Sequence, residues 1–578
     1  MSLKLDNSLN LNEFITATQT KNFILDDPIQ DWLKIYGKLK GFYPIKNTNL
    51  FSDFIKKKGL EFEGHIVKML KNKHYFYEVD AKESILERYN LTIKKLSEGV
   101  PIIYQGVVFD FEEKLYGIPD LIVRSDYLNK ITNFKNILPD INLYNTPLSN
   151  GWYYVVVDIK YSNLVFKKDS DTLVNQGMFS CFKSQLMIYN KCLSKMQNYD
   201  PGIAFILGRK WRKNNKSSNN SFDHLGKIDI YGTDKEILAK TDKSISWLRD
   251  LKKNGLSWDI NDSRILPNMK CNYDDEWRDV KKRIAIENNE ITLLWNCGIK
   301  ERNNVIKKNI NGWNDPECYS NTLNINGKRA RIIDGILKTN RNNDIIFNPR
   351  RIKKTENINK LAKSRLEFIC DFETVNDLND NFKRIPYSNF ETCIFMIGLI
   401  TNIRDEQGEI EYSDFKCFIV EDFTRKEEKR VINEWLAYMK EVSGTYKVEN
   451  PKIYHWSPAE PNFYKQAVLR NKQVFEWGKL NFVDILEVFK EEPISIKGVL
   501  SYGLKDVSKG LYKLGIIETI WKDDMDGRIA LLEAVEAMNK SKLENIKFSE
   551  MEIVKSIEKY NYVDVKVIDE IISFLRTK

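Results

Sequence analysis

Residues 366–374, LEFICDFET, decide how the C-terminal part of this chain is read. The run reads as a buried strand, and along a strand successive side chains alternate in direction. Asp371 and Glu373 therefore share one face, while Cys370 and Phe372 turn the other way into a core. Two carboxylates held that close repel each other unless a divalent cation lies between them. The pair is the first sign of a metal site.

Outward from that strand, the partners are found far along the chain. Tyr560 and Asp564 in YNYVD lie four apart in a helical region over 548–575, so a phenol and a carboxylate share one helical face. Asp564 is expected to ligate the metal and Tyr560 to orient an attacking water, the arrangement of a two-metal in-line displacement. Between them, the nearest acid after the strand-like KIYHW is Glu460 in HWSPAEPNFY, which takes the middle role, with Asp484 in NFVDILEVF as the second candidate. His455 is placed beside the site with a backbone hydrogen bond and no catalytic role. Lys505 in SYGLKDVSKGL either touches substrate phosphate or is a solvated helix start.

A second acidic constellation precedes all of this. The segments PIIYQGVVFDF, KLYGIPDLIVRSDYL and GWYYVVVDIKYSNL, from Pro101 to Leu164, are short β-branched and aromatic runs broken by turn residues, which suits a strand meander. Asp158 and Lys160 alternate onto one face of the last of these, and Asp120, in Gly117-Ile118-Pro119-Asp120, comes from the preceding strand. Glu63, in the helical EFEGHIVKMLK, would complete an oxygen-rich shell of the kind magnesium prefers, although Glu61 is close by. Lys160 would stabilise charge in the transition state. Gln185 and Tyr189 lie four apart on the helical KSQLMIYNKCLSKM, where they would position substrate or orient the lysine. A lone Asp-x-Lys pair is commonplace at solvated strand ends. The ordered set is not.

The set Glu63, Ile118-Pro119-Asp120, Asp158-x-Lys160 and Gln185-x-x-x-Tyr189 resembles the PD-(D/E)xK nuclease superfamily, in its RecB-like branch, over residues 50 to 215. Asp371-x-Glu373, Tyr560 and Asp564 resemble the DEDD exonucleases of the ribonuclease H-like fold, in the subgroup with a tyrosine in the third motif. The middle motif departs from the Asn followed by Phe-Asp or Tyr-Asp usual there. The order of the two halves resembles a family of fused nucleases, RecB-like first and ribonuclease H-like second. The resemblance implies 3′-to-5′ exonuclease action at the second centre and magnesium or manganese, with two ions per site possible, at both. Some RecB-like members hold an iron-sulfur cluster, but no cysteine grouping here supports one. Glu290 to Lys308 reads as a helix broken at Gly298; in this family the segment between the domains can resemble a helix-hairpin-helix, and LLWNCGIKERNNVIKKNINGW has that helix, glycine turn, helix rhythm.

The expected fold class is α/β. A lead-in over 1–50 precedes a restriction-endonuclease-like α/β/α core over 51–250, a small helical middle over 251–365, and a ribonuclease H-like α/β domain over 366–578. With 578 residues, 30% charged and 42% hydrophobic, and a net charge of +9, the chain reads as several globular cores with a mild basic excess. Arg350, Arg351, Lys353 and Lys354 are read as an exposed cationic linker, and Arg209, Lys210, Arg212 and Lys213 as a basic loop. Both would add sequence-independent attraction to phosphates, or serve solubility alone. Eight cysteines without a C-x-x-C pair read as reduced thiols of an intracellular protein. The polar N-terminus and the lack of an apolar run near 18 residues argue against secretion and a membrane span. Function is therefore expected to be metal-dependent hydrolysis of nucleic acid, DNA rather than RNA, in repair, recombination or replication. The alternatives are one active centre beside a binding module, a non-catalytic nucleic-acid scaffold, and a hydrolase of small nucleotides.

Overall fold

A computed structural model describes residues 10–45, 50–133, 135, 138, 151–168, 170–273, 275–378, 380, 382, 391–522 and 525–578. The chain is a mixed α/β protein that divides into two compact units, one reaching Ile284 and including Asp380 and Phe382, the other taking the described residues from Ala285 onward.

The first unit is built on a mixed sheet whose central strand, Tyr154–Val165, pairs parallel with Ile203–Lys213 and antiparallel with Leu121–Arg124. Ile102–Tyr104 and Phe76–Glu78 extend it on one side and Gly226–Asp229 on the other. Alternation along the central strand feeds two cores. Val155, Val157 and Ile159 pack with Phe62, Ile66 and Leu70 of the helix Leu50–Lys73. Tyr154 and Val156 pack with Leu186, Tyr189 and Leu193 of the helix Met178–Gln197. Both faces are buried, which is why the strand reads as a continuous apolar run.

Two expectations change here. The lead-in is not an irregular leader where it is described: Ile15, Ile29, Trp32 and Leu33 join the core, and Ile15–Thr16 pairs with Leu115–Gly117. Its residues 1–9 and 46–49 lie outside the described residues. The basic loop after Gly208 is instead strand, because Ile203–Lys213 continues alongside Asn163–Val165 and then turns back into Lys216–Ser218.

The second unit carries a five-stranded sheet in the spatial order Ile410–Ile419, Cys393–Arg404, Leu366–Val375, Lys452–His455, Phe482–Asp484. In chain order that is 3-2-1-4-5, antiparallel across the first three and parallel across the last two junctions. Phe372 meets Trp435 of the helix Arg425–Thr445 on one face. On the other, Ile369 packs with Val565, Ile568 and Ile572 of the helix Glu552–Leu575.

The expected helix over 290–308 is half present. Ile291–Leu293 is a single 3₁₀ turn capped by Glu290, the Trp295 N–H donates to the Leu500 carbonyl, and Asn296 takes a φ of 51°, so helix begins only at Ile299. A helix-hairpin-helix thus lacks its first helix. The cationic stretch at 350–354 is no free linker either: Ile352 is buried in the core, the Lys353 and Lys354 N–H groups donate to the Glu492 carboxylate, and Thr355–Leu361 is helical. Of the eight thiols, all free, seven are buried and Cys417 is half-buried.

Candidate functional site

In the first unit, Asp120 follows directly on from the strand pairing that sets Leu121 opposite Val157, and so stands beside Asp158. The Ile159 N–H donates to Asp120 Oδ2 at 2.7 Å and the Asp120 N–H to Asp158 Oδ1 at 3.4 Å. Lys160 Nζ lies 2.5 Å from Asp158 Oδ2. Burial works against the lysine's charge, but Asp158 and then Asp120 outweigh it and hold the ammonium above its usual range. Burial and the facing Asp158 push the Asp120 carboxyl well up, with Lys160 opposing. Glu63 accepts from the Tyr104 hydroxyl at 2.8 Å and the Gln105 amide at 3.2 Å, and its field reaches Asp120 and Lys160. Glu61 instead neighbours Lys58 at 3.9 Å.

Gln185 donates to the Tyr189 hydroxyl at 2.7 Å, and the buried Tyr189 ring lies against Gly117, where a Cβ would come within 2.2 Å of it. Burial, then Asp158, raises the phenol well above its ordinary value. All the expected residues of the first constellation are therefore neighbours. Lys160 pairs with one of its three carboxylates, Asp158, and Asp120 and Glu63 leave excess negative charge beside it.

The second constellation differs. Among the described residues, Asp371, Glu373 and Asp564 form a group in which one carboxylate oxygen of each lies within 4.8 Å of the others. Asp371 and Glu373 come from the central strand, opposite Gly398 and Met396, and Asp564 from the C-terminal helix. Burial, then Asp564 and Glu373, pushes Asp371 well up, and burial, then Asp564, does the same to Glu373. Glu460, buried in the first turn of the helix Ala459–Arg470, adds its charge to all three, and burial raises its own carboxyl. His455 Nδ1 lies 3.3 Å from Glu460 Oε2 and 2.6 Å from the Ser457 carbonyl, in keeping with a backbone-bonding role. Asp484, the alternative, accepts the Ser457 and Leu486 N–H groups on Oδ1 as a helix cap, and its charge reaches Glu460.

Tyr560 borders the cluster, its hydroxyl raised by burial and then by Asp564, Glu373 and Asp371. Lys505 sits 5.0 Å from the Tyr560 ring and lowers Asp564 and Glu373, so it belongs to the site and is not a solvated helix start. Three buried carboxyls and the half-buried Asp371 against one lysine and a histidine leave excess negative charge. An all-oxygen donor set of this kind fits a hard divalent cation such as Mg2+ or Mn2+.

Sequence reading missed Asn561, whose Nδ2 donates to Asp371 Oδ2 at 2.8 Å. It also assigned Arg209 to nucleic acid. That guanidinium is 2% exposed and paired with Asp380 at 2.8 Å, so it cannot meet a phosphate backbone. Arg212, Arg350, Arg351, Lys353 and Lys354 are exposed, and Lys354 donates to the Glu491 carbonyl. No helix among the described residues is long and apolar enough to cross a membrane. No protein-family model and no curated protein matches the chain.

Proposed function

We propose that the chain is a divalent-cation-dependent nuclease, acting on DNA rather than RNA, with its principal centre at Asp371, Glu373, Glu460 and Asp564. The carrying observation is the trio of carboxylates within 4.8 Å on a strand and a helix of one unit, with Glu460 beside them. The strand order 3-2-1-4-5 and the Tyr560-x-x-x-Asp564 spacing support a ribonuclease H-like, 3′-to-5′ exonuclease reading. The four carboxylates would hold the cation, which supplies an activated water and neutralises charge on the phosphate. Tyr560, its proton tightly held, is a hydrogen-bond donor able to fix a water or a phosphate oxygen. Lys505 offers its positive charge to the incoming phosphate.

The first constellation, with Asp120, Asp158, Lys160 and Glu63, fits a PD-(D/E)xK centre of RecB type with a restriction-endonuclease-like core. A second reading, in which this unit grips nucleic acid while the other cuts, draws on the Lys160–Asp158 pair, in which the ammonium occupies a carboxylate that a cation would share. Hydrolysis of 5′- and 3′-labelled, linear and circular, single- and double-stranded DNA separates the possibilities. Asp371→Ala is expected to lower 3′-end digestion by at least ~100-fold, and Asp158→Ala to remove any remaining cleavage. Undiminished digestion by the double variant would reject the enzymatic reading.

A further inference from the structure

The helix Glu552–Leu575 presents a stripe at alternating spacings of three and four, Val554, Ile557, Asn561, Asp564, Ile568, Ile571 and Leu575, each buried in full or nearly so. Five positions are aliphatic, as a core-facing stripe requires. Asp564 is accounted for by the carboxylate cluster. Asn561, fully buried, is the other interruption, and an amide in such a position costs stability unless it is bonded.

Its bonds are specific. Nδ2 donates to Asp371 Oδ2 at 2.8 Å and lies 3.4 Å from the Asp371 carbonyl. The amide cannot be reversed, since that would set an oxygen against a carboxylate oxygen. Its own Oδ1 has no hydrogen-bond partner among the described residues. That oxygen rests on Gly398, the residue directly across the sheet from Asp371, where a Cβ would stand 1.6 Å from it. A glycine inside the strand Cys393–Arg404 thus opens the space through which the helix reaches the metal-binding strand.

We infer that Asn561, seated on Gly398, is a positioning residue that fixes the Asp371 carboxylate in its cation-binding orientation. A neutral donor suits this task. It occupies one oxygen and holds the rotamer, yet leaves the full negative charge for the ion, which a lysine or arginine would cancel. Partners of this kind behind a ligand typically contribute about 10–100-fold in metal affinity. The inference rests on the metal-site reading above.

The test is Mn2+ binding to the full chain, followed by paramagnetic resonance of free Mn2+, alongside DNA hydrolysis. Asn561→Leu keeps the branched shape and removes the donor, and Asn561→Ser leaves a shorter donor should the leucine variant fail to fold. Gly398→Ala tests the seat from the strand side. Each is expected to weaken Mn2+ binding at the Asp371 site by ~10-fold or more, and to lower kcat at subsaturating Mn2+ with KM for DNA unchanged and partial recovery at high Mn2+. Wild-type affinity in folded Asn561→Leu or Asn561→Ser, with the Asp371→Ala control losing binding, overturns the positioning role and leaves the metal site standing. Failure of the wild-type chain itself to bind Mn2+ removes the metal site and this role together.

Discussion

At Asp564, burial outweighs the opposing charge of Lys505 and pushes the carboxyl up to about 7. Asp371 and Glu373 are displaced in the same direction by burial and then by Asp564. Each folded carboxyl therefore holds its proton more tightly than the unfolded one does. Without a cation, this contribution to stability is intact below about pH 4, where both states are protonated. It is lost progressively as pH rises toward the folded value near 7, and is flat above it. Asp564→Asn removes that penalty. In EDTA the variant is expected to melt above wild type at pH 8 by roughly 1 kcal/mol, about 2–4 °C for a unit of this size, with the gap narrowing at pH 5. A lower melting temperature for the variant at pH 8 would show that the cluster is not under charge strain. Saturating Mn2+ is expected to reverse the order, because only the wild-type site gains from the ion.

Elements bring these residues together, and small ones set the clearances. The Asp120 turn lies under the Met178–Gln197 helix because Gly117 has no side chain where the Tyr189 ring passes. Gly117→Ala forces the ring or the turn to move and is expected to cost about 1–3 kcal/mol, together with any cleavage that depends on Asp158. Unchanged melting and cleavage would mean the turn shifts freely. The sequence made much of this legible. The alternation that puts Asp371 with Glu373 and Asp158 with Lys160 follows from strand geometry alone, and Tyr560 with Asp564 from helix geometry. Asn561 was missed because an asparagine on a helix reads as surface, although the three-and-four stripe around it and the glycine in CIFMIGLIT both marked a close approach. Arg209 misled because its polar neighbours suggested a loop, whereas pairing across the sheet carried the strand past Gly208 and buried it. The helix expected over 290–298 failed on an apolar run whose leucines and tryptophan serve a core without repeating turns.

For the molecule as a whole, the two units have separate apolar cores, one around Trp32, Tyr154 and Leu186, the other around Tyr454, Phe489 and Ile568. Chains with separate cores commonly unfold in more than one step. Calorimetry is expected to resolve two transitions, with Asp371→Ala removing the Mn2+ shift of only one of them. At a hundredfold excess over Kd the gain is about 2.7 kcal/mol. A single transition that moves as a whole would show that the units melt together.

The enclosed sulfurs have a practical consequence. Cys181, Cys192 and Cys271 lie in one unit and Cys297, Cys318, Cys370, Cys393 and Cys417 in the other, nearly all shut away from solvent, and burial holds the protons of Cys181, Cys192, Cys318, Cys370, Cys393 and Cys417. An alkylating reagent added under native conditions should find little to modify. Under gradual denaturation, mass spectrometry of the modified peptides should date the opening of each half separately, so that the chain keeps its own chemical record of which part came undone first.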